Sequence, residues 1–449
     1  MIDAEKGLES LIVNNIYLAL VQLGNLKIIY VLLDGIGDLP HPDLEGLTPL
    51  EAARTKNIDL LAKRGMMGEV LSVGKGIAPQ SDIAVFNMLG YSFKGERYVG
   101  RGIIEIIGSN VEFKEGDLAL RGNFATVDSS GIIIDRRAGR SIEKAEAADL
   151  SRFLEKNLKF SDPDLSVKII PTIAHRVIVR LRHSKIALSS KITNIDPAYD
   201  KMNGIGIATE TTDSMHVRKS LPEDNVNSSI ISSKAVNEFT EKCVALTNGH
   251  PVNLNRIMQG KRPMNMILLR DPGTQIPSLK SIYERYGLQA SCIVDMPVEI
   301  GIAKILGMQF ITAGGIEDYE AKAQETLRLL DEFDLVYVHI KGPDEFGHDG
   351  NALGKKENIE SIDRRYFGTL LNNEVLSNAT IIISGDHSTP CIKKAHSDDP
   401  VPLLISGNSV SNDGSGRFTE SFASRGKLGL LPGSEVLDTA LKIIHEQGK

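Results

Sequence analysis

Three stretches of this 449-residue chain share one pattern: an apolar, β-branched run that ends in carboxylates or imidazoles. KIIYVLLDGIGD carries Asp34 and Asp38, DLVYVHIKGPDEFGHDG carries Asp344 and His348, and NATIIISGDH ends at Asp386 and His387. Runs without polar alternation suit strands buried on both faces, the condition of a parallel sheet covered by helices. Helical patterns stand between them, at 57–65, at 316–333 and around 361–371. That alternation predicts a doubly wound α/β sheet. In such a sheet, side chains that follow the strands gather at one carboxyl edge. A single Asp after a single strand reads equally as a helix cap or a turn residue. Three such ends, with His396 nine residues past His387, point to a shared site.

Charge narrows the partners. Lys and Arg number 51 against 58 Asp and Glu, a net of -7 with no basic block, which argues against nucleic acid as the main partner. With 41% hydrophobic and 24% charged residues, the chain has ordinary globular composition. It is long enough for two or three domains with their own cores. Cys243, Cys292 and Cys391 are far apart and form no CxxC pair. A disulfide scaffold or zinc knuckle is not expected, and a reducing cytoplasm is. In residues 1–26 the apolar run from Leu11 to Leu23 is interrupted by Asn14, Asn15 and Gln22. It is too short and too polar to span a bilayer, and it lacks the basic start and small-residue site of a signal peptide. It is expected either as an amphipathic helix packed on the body or as an extension that contributes little. No membrane partner is expected, and the sequence marks no oligomeric state.

Asp344 and His348 are four residues apart, so on one helical turn they share a face and can grip one cation. Oxygen and nitrogen ligands without thiolate suit Mn²⁺, Zn²⁺ or Co²⁺ better than Ca²⁺, with Mg²⁺ also open. Asp34, Asp344, His348, Asp386, His387 and His396 are too many for one tetrahedral site. They suffice for two sites with open positions, the arrangement that clamps both oxygens in phosphoryl transfer. In GIAPQSDIAVFNMLGY, Ser81 stands just before an apolar helical pattern. There it is either a plain N-cap or a metal-activated nucleophile at a helix N-terminus that receives a phosphate. GNALGKK (350–356) misses the spacing of a phosphate loop, and NGIGIA (203–208) lacks the third glycine of a dinucleotide site.

Taken in order, Asp34, Ser81, Asp344-x-x-x-His348, Asp386-His387 and His396 resemble the alkaline phosphatase superfamily. GRGIIE (100–105), RGNFATVD (121–128), DRRAGR (135–140), AHRVIV (174–179), NIDPAY (194–199) and RPMNMILLR (262–270) narrow the likeness. From about Lys27 onward the chain resembles the archaeal-type 2,3-bisphosphoglycerate-independent phosphoglycerate mutases. Tyr199 stands where that pattern has a histidine. The resemblance implies a metal-binding, mostly parallel core over 27–110 and 261–449, and an inserted α+β substrate-binding domain over 111–260 that closes as a lid. It implies an isomerase of glycolysis and gluconeogenesis that interconverts 3-phosphoglycerate and 2-phosphoglycerate. Two divalent ions, Mn²⁺ foremost, would be needed and 2,3-bisphosphoglycerate would not. Ser81 would become phosphoserine. Ser81, Asp34, Asp386 and His387 would hold one metal, and Asp344, His348 and His396 the other. A phosphomonoesterase, or an enzyme for another small metabolite, would use the same metals and serine. A non-catalytic metal- or phosphate-binding protein is the reading from a different class.

The middle of the chain shows short strand-like segments, among them IALSSKITNI, and one helical stretch, SIEKAEAADLSRFLEKNL. Arg136, Arg137, Arg140 and Arg176, with Arg121 and Asp135 behind them, suit a substrate that carries a phosphate and a carboxylate. Arginine grips both in bidentate fashion. Any one of them reads equally as a solvated strand edge. Lys341 could balance the charge of a transferred phosphoryl group. Asp82 is either an acid–base helper or support for the helix start.

Overall fold

The run that precedes Asp34 forms β1 (Lys27–Leu33), buried along nearly its whole length. Its neighbours are β12 (Leu335–Ile340) and β13 (Ala379–Gly385), both parallel to it. Leu33 stands opposite Ile340 on one side and Gly385 on the other, so the three strands end level. The sheet runs in the order β11 (Gln309–Ile311), β10 (Ala290–Ile293), β12, β1, β13, β14 (Val401–Ser406), β2 (Gly65–Leu71), β15 (Leu430–Pro432). Only β14 is antiparallel to its neighbours. The expected doubly wound, mostly parallel sheet is therefore present. Ile29, Val31, Val336, Val338 and Ile381 on one face pack against Tyr319, Leu329, Ile362 and Phe367 of the covering helices.

This computed structural model describes residues 26–93, 99–202, 205–208, 215–373 and 378–447. The expected N-terminal helix or extension, 1–26, lies outside them except for Leu26. The described residues divide into two compact units. The first takes those up to Phe93, Leu279–Met296 and those from Ile302 on; the second takes those within 94–278 and Pro297–Gly301. No helix among the described residues is long and apolar enough to cross a membrane.

The second unit is built on β3 (Leu118–Val127), which pairs antiparallel with β4 (Ile133–Asp135), β6 (Arg176–His183) and β9 (Met266–Gly273). β5 (Leu165–Pro171) extends this sheet beyond β6, and β7 (Tyr199–Met202) with β8 (Ile205–Ala208) makes a separate hairpin. The unit reaches past 111–260 because β9 is the partner of β3 and because Ile103 and Ile106 of the helix Arg101–Gly108 pack on Ala119 and Ile178. The helix expected at SIEKAEAADLSRFLEKNL runs Lys144–Asn157. Two further helices, Asn227–Thr247 and Pro251–Met258, were not legible as such. Serines Ser229, Ser232 and Ser233 occupy buried positions of the first one, where a helical pattern needs apolar residues. They are tolerated because their hydroxyls are bonded: Ser229 Oγ donates to Ser189 Oγ at 2.9 Å, and Ser232 Oγ accepts from Ser189 N at 2.8 Å. The same contacts explain why IALSSKITNI forms no strand. Ser189 faces the helix, and Ile192 makes only an isolated bridge with Pro222.

Candidate metal centre

The level ends of β1, β12 and β13 deliver Asp34, Lys341 and Asp386 side by side. Gly35 turns the chain at φ 62°, and a Cβ there would lie 2.8 Å from Asp344 Cα. Glycine thus lets the helix Pro343–Asp349 close on the end of β1, bringing Asp344 and His348 to the sheet edge. Ser81 is the first residue of the helix Ser81–Met88, and Gln80 occupies the cap position. Asp82 through Met88 are all buried, and Tyr30 on β1 donates its hydroxyl to Met88 O at 2.9 Å. Ser81 is therefore not a plain N-cap: its Oγ lies 3.2 Å from His387 Nε2.

Two sets of ligand atoms converge, Asp34–Asp386–His387 and Asp344–His387–His396. His387 Nε2 lies 3.5 Å from Asp34 Oδ1 and 3.3 Å from Asp386 Oδ2. Asp344 Oδ1 lies 3.4 Å from His396 Nε2 and 3.6 Å from His348 Nε2. The rings of His387 and His396 stack at 3.8 Å, and those of His348 and His396 stand 5.0 Å apart. All six expected ligand side chains and Ser81 are thus gathered. His387 stands in both sets, and His348 joins the second from its rim.

The surroundings fit divalent cations. His396 Nδ1 donates to Pro79 O at 2.6 Å and His348 Nδ1 to Lys394 O at 3.2 Å. A carbonyl only accepts, so each ring turns Nε2 toward Asp344, the orientation that metal-ligating histidines need. Asp34 Oδ1 and Asp386 Oδ2 are buried, and the ring nitrogens of His339 and His387 stand 3.3–3.8 Å from them, longer than a good hydrogen bond. Burial pushes the Asp34 carboxyl up to about 7, with Asp386 adding to it and Lys341 opposing. Burial pushes Asp386 the same way, but His387, His339 and Lys341 outweigh it and hold that carboxyl low. Burial also holds His387 down to about 3, in its neutral form at neutral pH. Asp344, joined by the Pro79 carbonyl, overcomes burial and raises His396 to about 9. Crowded carboxylates with opposed shifts mark a site short of positive charge, which a dication supplies.

Lys341 Nζ lies 2.9 Å from Asp34 Oδ2. His339, fully buried on β12, stands 3.5 Å from Asp386 Oδ2 and 3.8 Å from Asp34 Oδ1. Sequence reasoning passed over it, although an imidazole inside an apolar run was a signal. Asp38 does not join the centre. It pairs with buried Lys355 at 2.8 Å and accepts from Cys391 N at 3.0 Å.

The second unit holds a guanidinium cluster. Arg121 on β3 lies 3.1 Å from Glu105, which Arg101 also contacts at 3.0 Å. Asp196 takes Arg136 at 2.6 Å and Arg270 at 3.1 Å. Arg270 stacks over the Tyr199 ring at 4.3 Å. Burial and then Arg101 lower Arg121 to about 9; burial, with Arg176 and Arg137, lowers His175 to about 3. Arg176 on β6 is lowered too, by burial and then Arg101. Cations outnumber carboxylates here, so the cluster is suited to an anion. Arg137 precedes the turn at 138–140 and Arg140, which is exposed, is its last residue. Asp135 accepts from Arg137 N at 2.7 Å and Gly139 N at 3.0 Å, and so shapes that turn. Arg101, Glu105, Asp196, Tyr199 and Arg270 were missed as members, although each lies in a stretch that carries the family resemblance.

A third convergence, Asp162–Asp164–His183, has a different chemistry. His183 Nδ1 accepts from Lys185 N at 3.1 Å and Ile186 N at 3.3 Å, so its proton sits on Nε2, 3.2 Å from Asp162 Oδ2. No ring lone pair is left for a metal.

Fold and site together define a class: an α/β protein with a serine and two carboxylate–imidazole sets at the carboxyl edge of a mostly parallel sheet. The family model for 2,3-bisphosphoglycerate-independent phosphoglycerate mutase matches residues 62–253. An Aeropyrum pernix protein of that name is 39% identical over 432 residues, which cover 93% of this chain and 100% of the relative. The solved cofactor-independent phosphoglycerate mutase of Thermoplasma acidophilum is similar with a TM-score of 0.61 at 28% identity, over 93% of this chain and 100% of that one. A solved Pyrococcus horikoshii protein gives 0.74 at 29% identity, over 94% and 98%. The chain belongs to the 2,3-bisphosphoglycerate-independent phosphoglycerate mutase family.

Proposed function

We propose that the protein interconverts 3-phosphoglycerate and 2-phosphoglycerate without 2,3-bisphosphoglycerate, through a phosphoserine on Ser81. The observation that carries this is Ser81 Oγ at 3.2 Å from His387 Nε2, beside two converging ligand sets, in a chain of this family. Asp34, Asp386, His387 and Ser81 would hold one divalent ion, and Asp344, His348 and His396 the other. Bound there, such ions supply charge neutralisation and a lowered hydroxyl pKa. Mn²⁺ is the first choice, with Zn²⁺, Co²⁺ and Mg²⁺ as alternatives.

The chain's own groups do the rest. The helix start at Ser81 presents backbone N–H groups to the phosphoryl oxygens. Lys341 offers a cation at the sheet edge. Arg121, Arg136, Arg137, Arg140, Arg176 and Arg270 form the basic set that suits the substrate's anionic groups. Asp135 keeps the Arg137 turn in shape. A reducing cytoplasm is the compartment we infer: Cys243, Cys292 and Cys391 are buried, with no disulfide among the described residues.

The test is ³¹P NMR of 3-phosphoglycerate with Mn²⁺-loaded protein and no bisphosphoglycerate. A 2-phosphoglycerate signal that Ser81→Ala lowers by at least about 10³-fold is the expected result. Inorganic phosphate in its place would make the protein a phosphatase.

A further inference from the structure

His348 and His396 have their Nδ1 protons placed by backbone carbonyls, but His387 does not. Its Nδ1 faces the Thr389 hydroxyl at 3.1 Å. A hydroxyl donates or accepts, so this contact alone leaves the His387 tautomer open. Asp344 decides it. Thr389 Oγ1 lies 2.6 Å from Asp344 Oδ1, within the range of a charge-assisted O–H···O⁻ bond. Thr389 has one hydroxyl proton, and it donates that proton in the hydrogen bond to the carboxylate. The oxygen can then only accept from the ring, so the His387 proton sits on Nδ1. Its Nε2 lone pair is left facing Ser81, Asp34 and Asp386.

Thr389 is itself held firmly. It is fully buried. Its carbonyl accepts from Lys355 Nζ at 3.0 Å, and its amide donates to Gly37 O at 3.0 Å. A Cβ on Gly35 would lie 2.7 Å from Oγ1, so glycine is what leaves room for the hydroxyl. A Cβ on Gly347 would collide with the Thr389 carbonyl. The main chain on both sides is shaped around this residue.

We infer that Thr389 is a positioning residue: through the relay His387 Nδ1–H to Thr389 Oγ1–H to Asp344 it sets the His387 tautomer and ties one ligand set to the other. The inference rests on reading the centre as a cation site, not on the reaction proposed for it. A cation that holds Asp344 as a carboxylate also keeps the His387 lone pair aimed at the other set, so the two sites should load cooperatively.

The test compares the parent protein with Thr389→Val, which keeps the volume but loses the hydroxyl, and Thr389→Ser, which keeps the hydroxyl. Mn²⁺ binding is read by calorimetry and the His387 tautomer by long-range ¹H–¹⁵N NMR of the metal-free protein. Thr389→Val should bind Mn²⁺ about 10–100-fold more weakly and Thr389→Ser should restore it. In the metal-free parent, Nδ1 should carry the His387 proton, and in Thr389→Val the ring should populate both tautomers. Equal Mn²⁺ affinity in parent and Thr389→Val, or an Nε2 proton in the parent, would overturn the inference. A parent that binds no Mn²⁺ would sink the cation reading, and the tautomer would still decide the relay. If Thr389→Val does not fold, the parent spectrum and Thr389→Ser decide it.

Discussion

At the scale of single residues, the buried pair Asp38–Lys355 is the sharpest structural commitment. Lys355 Nζ donates to Gly37 O, Asp38 and Thr389 O, all at 2.8–3.2 Å, and both side chains are fully buried. Replacing Lys355 by Met would strand the Asp38 carboxylate. Denaturant unfolding should show a loss of about 3–5 kcal/mol, and a loss under 1 kcal/mol would mean the pair is dispensable. Tyr199 gives a pH-dependent signal. Burial would raise its phenol, but Arg270, Arg121 and Arg136 outweigh burial and bring it down to about 8. A depressed folded pKa favours the tyrosinate in the folded state. The stabilisation is full above the unfolded value near 10 and is lost as pH falls through about 8. An ultraviolet titration should show one tyrosinate forming near pH 8, and Tyr199→Phe should abolish that step. No early step in the parent would refute the assignment. The ligands were legible because carboxylates and imidazoles stand out after apolar strands. Tyr199 was legible only as a departure, because its partners lie on strands and loops far from it in sequence. Lys355 was not legible at all. One lysine in a helix looks solvated until its partner, 317 residues away, is known.

At the scale of elements, a close helix crossing in the second unit carries its own test. A Cβ on Gly301 would collide with Ile104 O, and one on Gly108 with Pro297 O, so the helix Arg101–Gly108 and the start of the helix Pro297–Ile305 touch backbone to backbone. Gly301→Ala should cost about 1–3 kcal/mol of stability; an unchanged urea midpoint would show that the helices part easily. The three strands β1, β12 and β13 and the helix at 144–157 were readable from apolar continuity and helical spacing. The helix Asn227–Thr247 was not, because bonded serines sit on its buried face. β14 was not singled out as a strand, and its antiparallel direction is a property of the connection that leaves no trace in its residues.

At the scale of the whole molecule, each unit has its own core. In the first, Val31, Val338 and Ile383 pack with Tyr366; in the second, Leu120, Val179 and Leu269 pack with Phe239. The residues proposed to hold the cations, from Asp34 to His396, all lie in the first unit. Mn²⁺ at about 100 times its dissociation constant should stabilise it by about 2.7 kcal/mol. Calorimetry should show this as a rise in unfolding temperature that Asp386→Asn removes. A rise of equal size in Asp386→Asn would place the ion elsewhere.

The pairing of β1 also sets a timetable. Both partners of β1, and both partners of β2, come from residues beyond 334, while every strand among the described residues of the second unit lies within 118–273. On the ribosome the second unit can close its sheets while β1 still has no neighbour. At ~5–20 residues per second, β1 waits roughly 15–70 s for β12 and β13. For that time the chain carries an exposed, β-branched, aggregation-prone strand and no place to hold a metal. Asp34 and Ser81 are among the first parts of the centre to be made, and they become part of a centre only when the last third of the chain arrives.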